Sequence, residues 1–234
     1  MSGWLWVVIL NGITAAAYSG IVLFIVRGLL RTGQFRNNRL AVATAAIFTT
    51  CAAHHLIHAW HLRFTTKFDD VRELVTLDHG RRTRVRLSVN ADDIAHRFEG
   101  GTARMPARIE ALRQLALAGY RVGLTIAPIM PIPQWREQYA RLLANVSDAL
   151  RDVPDLDLTA EIITHRFTPS SKDVLLSWYP GTKLEMDEGA RTAKRNKFGG
   201  VKYVYPKDTM AEMRSWFTDE LRSVLPDAQL LYWT

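Results

Sequence analysis

The sequence predicts an α/β fold, a partial (β/α) barrel, preceded by a hairpin of two transmembrane helices. Two observations indicate this division. Residues 1–62 contain no Asp, Glu or Lys and only four Arg, whereas residues 63–234 contain 26 basic and 23 acidic residues. The second part also alternates short β-rich runs with longer amphipathic runs. We therefore expect two domains, residues 1–62 in lipid and residues 64–234 in water.

The hairpin is predicted from two apolar stretches, residues 3–26 and 40–62. Each is long enough to cross a hydrocarbon core, which needs about 20 helical residues. A secretory signal is the alternative for the first stretch, but Arg27 stands where a small-residue cleavage site belongs. The sequence thus predicts a membrane protein. Four Arg in the connection favour its cytoplasmic placement, which would put residues 64–234 outside the cytoplasm, although Arg63, Lys67 and later Arg clusters oppose that orientation.

Residues 64–234 show the element order of an α/β chain. Strands are predicted at residues 84–89, 121–126, 156–164, 183–186, 201–205 and 229–233, and helices at residues 106–118, 134–151, 172–179 and 210–225. This order predicts a parallel sheet or part of a (β/α) barrel.

Polar or strand-ending residues follow four of the predicted strands, at the edge where barrels build their sites. They are Ser88 with Asn90, Ala127 with Pro128, His165 with Arg166, and Glu185 with Asp187. Strands must also end in something polar, so a purely structural reading of each residue stays open. Four coincident edges favour a cleft.

The second apolar stretch carries residues that bind metals. At helical spacing, Cys51, His54 or His55, and His58 lie on one face. Thiolate with imidazole is a ligand set for copper or zinc. The alternative is that His58 and His61 are interfacial and Cys51 is a small apolar filler.

The segment CAAHHL resembles the Cys-x-x-x-His-Leu stretch in the second membrane helix of ethylene-receptor-type sensor domains. Asn11 and Tyr18, seven residues apart, resemble an acidic residue and a Tyr at that spacing in the first helix of those domains. The resemblance implies copper binding by Cys51 and His55. The third helix of the receptor domains has no counterpart here.

Residues 64–234 resemble the spore photoproduct lyase family. The motifs that carry the resemblance are RVRLSVN, LTIAPIMPI, EIITHRFTPSSK, YPGTKLEMDE, RNKFGGVKYVYPKD and the terminal LLYWT. It implies a radical-SAM partial barrel that reverts a thymine dimer in DNA, with S-adenosylmethionine and a four-iron cluster as cofactors.

The resemblance also implies roles for single residues. Lys67, Ser88 and Ala127 match positions that contact S-adenosylmethionine in the family. Lys197 and Phe198 stand where the family has an Arg-Tyr pair facing the lesion. A cation and an aromatic ring suit a phosphate and a stacked base.

The sequence departs from the family in its cysteines. The family holds its iron-sulfur cluster with three cysteines and donates hydrogen from a fourth, but Cys51 is the one cysteine of this sequence. We therefore expect a truncated, fused homologue without lyase activity of its own, in which strand 84–89 lacks a neighbour. Two further interpretations stay open: a partner chain that supplies the missing barrel half, and a membrane sensor with a repurposed nucleotide- or nucleic-acid-binding domain.

Overall fold

A computed structural model describes residues 3–33, 38–60, 62–195 and 199–234, apart from the side chains of residues 3–8 and 56–60. The chain divides into two compact units, Met1–Arg63 with Leu77–Thr83, and Phe64–Thr76 with Arg84–Thr234.

The first unit contains a pair of antiparallel helices, α1 (Gly3–Arg31) and α2 (Arg39–Trp60). The Oδ1 atom of Asn11 lies 2.8 Å from Nδ1 of His55, and the rings of Tyr18 and Phe48 lie 5.5 Å apart. A later residue of α1 thus contacts an earlier residue of α2, as antiparallel helices require. Thr14 and Thr44 donate their hydroxyls to carbonyls one turn back, which satisfies these polar groups inside apolar helices.

One helix within the described residues, Ile9–Arg31, is long and apolar enough to cross a membrane, with a mean hydropathy of 2.0. Several of its large apolar side chains are exposed, and Phe24 is 82% exposed. Length and composition thus agree with the predicted first span, while the second span stays a prediction.

The second unit is built on a mixed α/β arrangement around a five-stranded sheet. Its strands, in their order across the sheet, are β1 (Leu62–Thr66), β2 (Thr83–Val89), β3 (Arg121–Ile129), β4 (Leu158–Thr164) and β7 (Gln229–Trp233). The strands β2, β3, β4 and β7 are parallel, which confirms the predicted parallel sheet. The remaining helices are α3 (Arg72–Val75), α4 (Asp92–Phe98), α5 (Met105–Leu117), α6 (Trp135–Leu150), α7 (Pro169–Trp178) and α8 (Lys207–Val224).

Two sequence predictions about strands are wrong. Strand 84–89 has a neighbour on both sides, because β1 occupies the edge expected to be bare. Residues 183–186 form no strand, since local hydrogen bonds turn this backbone: Glu185 Oε1 accepts from the Asp187 amide at 2.7 Å. A hairpin of β5 (Thr192–Arg195) and β6 (Val201–Val204), antiparallel to each other, follows instead.

The two faces of the parallel sheet differ in polarity, as the two-residue period of a strand requires. One face is fully buried against α5, α6 and α8, and its members are Val85, Leu87, Val89, Val122, Leu124, Ile126, Leu158, Ala160 and Ile162. The other face carries polar side chains. Arg86 of β2 reaches across β3 to Glu161 of β4, with 3.0 Å between nitrogen and oxygen.

Gly123 of β3 makes this crossing possible. A Cβ atom there would lie 2.8 Å from Thr159 Oγ1 and 2.9 Å from Arg86 Cγ. We expect Gly123→Ala to lower the free energy of unfolding by about 1–3 kcal/mol, because it overpacks this face. Urea denaturation measures the change. Gly181→Ala is the control, since nothing lies within 4 Å of that position. Equal effects of the two substitutions would contradict the steric account.

Candidate functional site at the carboxyl edge of the sheet

A buried carboxylate, Glu99, organises the end of β2. Its side chain, directly after α4, is 3% exposed, and Oε1 lies 3.0 Å from the Lys67 ammonium. Oε2 accepts a hydrogen bond of 2.6 Å from Arg108 of α5, whose side chain is 1% exposed. Arg108 also donates to the carbonyls of Ser88 at 2.9 Å and Ala103 at 2.8 Å. Both partners of this buried ion pair are therefore further hydrogen bonded.

The electrostatics of the pair keep Glu99 ionised. Burial by itself would raise the pKa of the Glu99 carboxyl, but the hydrogen bonds from Arg108 and Lys67 outweigh it and lower the pKa below its usual value. Lys67 is the outermost member of the three, with 34% of its side chain exposed. A single positive charge thus faces solvent from a cluster of three ions.

Asn90 joins this cluster to the end of β3. Its side chain is completely buried, and Nδ2 donates to Glu99 Oε1 at 3.3 Å and to the Pro128 carbonyl at 3.0 Å. Its Oδ1 accepts from the Tyr139 hydroxyl at 3.0 Å. The backbone of β3 after Ala127, which precedes Pro128 through a cis peptide bond, is thereby fixed against β2.

The three residues that the family resemblance assigned to S-adenosylmethionine are thus linked through one network. Glu99 binds Lys67, Arg108 binds the backbone of Ser88, and Asn90 binds the residue after Ala127. The sequence pattern indicated Asn90 but not Glu99 or Arg108. Arg108 did leave a signal, because it stands in the buried stripe of α5 formed by Met105, Ile109, Leu112 and Leu115.

The polar face of the sheet continues from this edge. Ser88, Thr125 and Glu161 are paired side by side in the register of β2, β3 and β4. Thr125 is 8% exposed, and its buried hydroxyl has no hydrogen-bond partner within the described residues. The face therefore offers hydroxyl and carboxylate groups next to the Lys67 cluster.

A second cluster lies at the end of β4, around His165. Arg191 donates to the His165 carbonyl at 3.1 Å, and its Nη2 lies 3.2 Å from the ring Nδ1. Arg191 also donates from Nε to Glu185 at 2.8 Å and stacks 3.7 Å from the centre of the Tyr205 ring. The predicted edge residues His165 and Glu185 thus meet through an arginine that the sequence did not single out.

This environment changes the acid-base behaviour of His165. Burial, followed by the charge of Arg191, lowers the pKa of the imidazole from 6.5 to about 4. Between pH 4 and pH 6.5 the unfolded chain binds a proton at His165 that the folded chain does not. The free energy of unfolding is therefore at its full value above pH 6.5 and decreases as the pH falls towards 4.

We therefore expect His165→Gln to reduce the pH dependence of stability. The wild-type free energy of unfolding should fall by about 2 kcal/mol more than that of the variant between pH 7 and pH 4.5. Urea denaturation at the two pH values measures this difference. Parallel losses in both proteins would show that His165 is not the group responsible.

The predicted copper ligands, Cys51 and His55, both lie in α2. Cys51 is a half-buried free thiol in α2, and Nδ1 of His55 lies against Asn11. The Tyr18 ring lies 5.6 Å from the His55 ring. Among the described residues no group of three or more His, Cys, Asp or Glu could hold a metal ion, so copper at Cys51 and His55 has no structural support.

The predicted lesion-facing residues, Lys197 and Phe198, lie outside the described residues. In sequence they lie between β5 and β6. Two cations of β5, Lys194 and Arg195, are exposed.

A parallel sheet with a charged network at its carboxyl edge defines a class of α/β proteins that bind ligands at the ends of their strands. The spore photoproduct lyase family model matches residues 48–234. The chain belongs to the spore photoproduct lyase family, which confirms the resemblance. The match begins within α2.

Curated relatives agree with this assignment. The chain is 40% identical over 173 residues to the spore photoproduct lyase of Bacillus subtilis (strain 168), covering 74% of this chain and 51% of the relative. It is 36% identical over 170 residues to that of Clostridium acetobutylicum, covering 73% and 50%. The chain therefore spans about half the length of these relatives.

Solved structures of spore photoproduct lyases are similar to the fold. One, a variant with bound AdoMet and dinucleoside spore photoproduct, has a TM-score of 0.72 and 32% identity, covering 82% of this chain and 58% of that one. Another, complexed with dinucleoside spore photoproduct, has a TM-score of 0.71 and 31% identity, covering 80% and 58%.

Proposed function

We propose that residues 64–234 are the S-adenosylmethionine-binding part of a spore photoproduct lyase-type radical-SAM barrel. The observation that carries the proposal is the network of Glu99, Arg108 and Asn90, which links Lys67, Ser88 and Ala127 at one sheet edge. A similar solved structure has AdoMet bound.

The side chains at this edge suit the cofactor. The Lys67 ammonium has three donors, of which Glu99 uses one, so others can bind the carboxylate of S-adenosylmethionine. The Ser88 hydroxyl can bond the ribose or the amine, and the Ala127 carbonyl can accept from the adenine. In the family, the cofactor supplies the radical once a reduced iron-sulfur cluster splits it.

The cluster itself does not suit this sequence. Three thiolates are needed to hold it, and Cys51 is the one cysteine present. We therefore infer that the chain binds the cofactor without cleaving it, and that lyase activity requires cluster ligands that this sequence does not contain.

DNA with a thymine photoproduct is the proposed substrate of the completed enzyme. Two similar solved structures contain dinucleoside spore photoproduct. The exposed cations Lys194 and Arg195 lie close in sequence to Lys197 and Phe198, and phosphate contacts from them would position the DNA strand.

Membrane attachment is proposed for α1. Its exposed apolar side chains, such as Leu23 at 70% and Phe24 at 82%, form a surface that water solvates poorly. Insertion into a bilayer would remove that surface from water.

Binding of S-adenosylmethionine by the purified chain tests the proposal. We expect saturable binding, and at least a tenfold loss of affinity in Lys67→Ala because a charge-assisted hydrogen bond is worth about 1.5–3 kcal/mol. Equilibrium dialysis measures both values. Lys207→Ala, at an exposed position at the start of α8, is the matched control. The proposal fails if the wild-type chain binds no cofactor.

A further inference from the structure

We propose that Glu99 is a positioning residue that holds the Lys67 ammonium ready for the carboxylate of S-adenosylmethionine. The inference rests on the proposed function and extends it to a residue that would not touch the cofactor. Glu99 is 3% exposed, whereas the Lys67 side chain is 34% exposed. A ligand entering from solvent therefore meets Lys67, and Glu99 acts through it.

The charges of the cluster favour one further anion. Lys67 and Arg108 contribute two positive charges and Glu99 one negative charge, which leaves a net charge of one at the solvent side. The α-carboxylate of the cofactor would neutralise it. The adenosine part of the cofactor carries no such anion.

Glu99 also fixes where that positive charge lies. A lysine side chain is flexible, and ordering it on binding costs conformational entropy. Here the ammonium is already held at 3.0 Å by Glu99, and Glu99 is held by Arg108 at 2.6 Å. Because Arg108 donates a hydrogen bond to the Ser88 carbonyl, the position of the Lys67 ammonium is fixed relative to β2. The ordering is complete before the ligand arrives, which is preorganisation.

A purely structural role of Glu99 would require only its ion pair with Arg108. The buried charge of Arg108 is already balanced by Glu99, so the bond from the half-buried Lys67 is not needed to neutralise Arg108. The carboxylate instead spans two cations, one buried and one facing solvent. Through Glu99, the Lys67 ammonium is held in place by a residue of the buried core.

The test compares two ligands in one set of variants of the full chain. S-adenosylmethionine carries the amino-acid carboxylate, and 5′-methylthioadenosine lacks it. We expect Glu99→Gln to weaken S-adenosylmethionine about tenfold, from the restored freedom of Lys67, and to leave the affinity for 5′-methylthioadenosine within about twofold. Glu110→Gln, at an exposed position of α5, should change neither.

A double-mutant cycle completes the test. If Glu99 acts through Lys67, Glu99→Gln adds no further loss once Lys67→Ala is present. Binding of 5′-methylthioadenosine reports that the site is folded. Should Glu99→Gln lose it, Glu99→Asp, which keeps the buried charge, replaces it in the same comparison and is expected to show the same selective loss.

Several outcomes would overturn the inference. Equal losses for both ligands in the variant used would indicate a structural role alone. Unchanged or tighter binding of S-adenosylmethionine would show that the charge of Glu99 opposes the ligand more than its position helps. Additive effects with Lys67→Ala would separate the two residues. Absence of cofactor binding in the wild-type chain would instead defeat the proposed function.

Discussion

The variant Arg108→Met should lower the free energy of unfolding by about 3–5 kcal/mol, because it removes the buried partner of a buried ion pair. Glu99, which is 3% exposed, then keeps only the half-buried Lys67 as a charged partner. Methionine replaces the aliphatic length of arginine, so the loss reflects the charge and the hydrogen bonds more than a cavity. The carbonyls of Ser88 and Ala103 also lose their donor.

Urea denaturation followed by near-ultraviolet circular dichroism measures this loss. Arg151→Met is the matched control, since Arg151 forms an ion pair with Asp148 and its own side chain is 76% exposed. Exposed pairs contribute about 0–1 kcal/mol. A change of less than 1 kcal/mol in Arg108→Met would mean that the network is not buried as described.

The second large effect is expected for Asn90→Ala. The side chain is completely buried, and its removal leaves the Tyr139 hydroxyl without the acceptor Oδ1 and the Pro128 carbonyl without the donor Nδ2. Each unsatisfied buried group costs about 1–3 kcal/mol, so we expect a total loss of about 2–4 kcal/mol. Because Asn90 ties β2 to the backbone after Ala127, the affinity for S-adenosylmethionine should fall as well.

Thermal and urea denaturation measure the stability loss, and dialysis measures the affinity. Asn145→Ala on the exposed side of α6 is the control, and its effect should stay within about 0.5 kcal/mol. Full stability in Asn90→Ala would show that water or a neighbouring group satisfies the freed atoms.

Much of the sheet could be predicted because its periodicities are local. In β2, apolar Val85, Leu87 and Val89 alternate with Arg86 and Ser88, and such alternation needs no tertiary information. The segment containing Leu184 and Met186 alternates in the same way but forms no strand, since short-range side-chain bonds to the backbone compete there. Periodicity cannot rank those two outcomes.

The site could be predicted only in part, for a physical reason. Lys67, Ser88 and Ala127 follow from motifs that the family shares. The ion pair between Glu99 and Arg108 depends on how the loop after α4 folds back onto α5, which no residue spacing specifies. The single hint was a charged residue in an otherwise apolar helix stripe, because a buried arginine requires a partner.

We propose that this chain binds S-adenosylmethionine but does not cleave it alone. The most direct measurement supplies the purified chain with iron, sulfide, a strong reductant and S-adenosylmethionine under anaerobic conditions. Bound cofactor and released 5′-deoxyadenosine are then quantified together. The account predicts intact cofactor, bound at about one equivalent per chain, and no 5′-deoxyadenosine above the level of a protein-free blank. Formation of 5′-deoxyadenosine, or a chain that retains no cofactor, would contradict it.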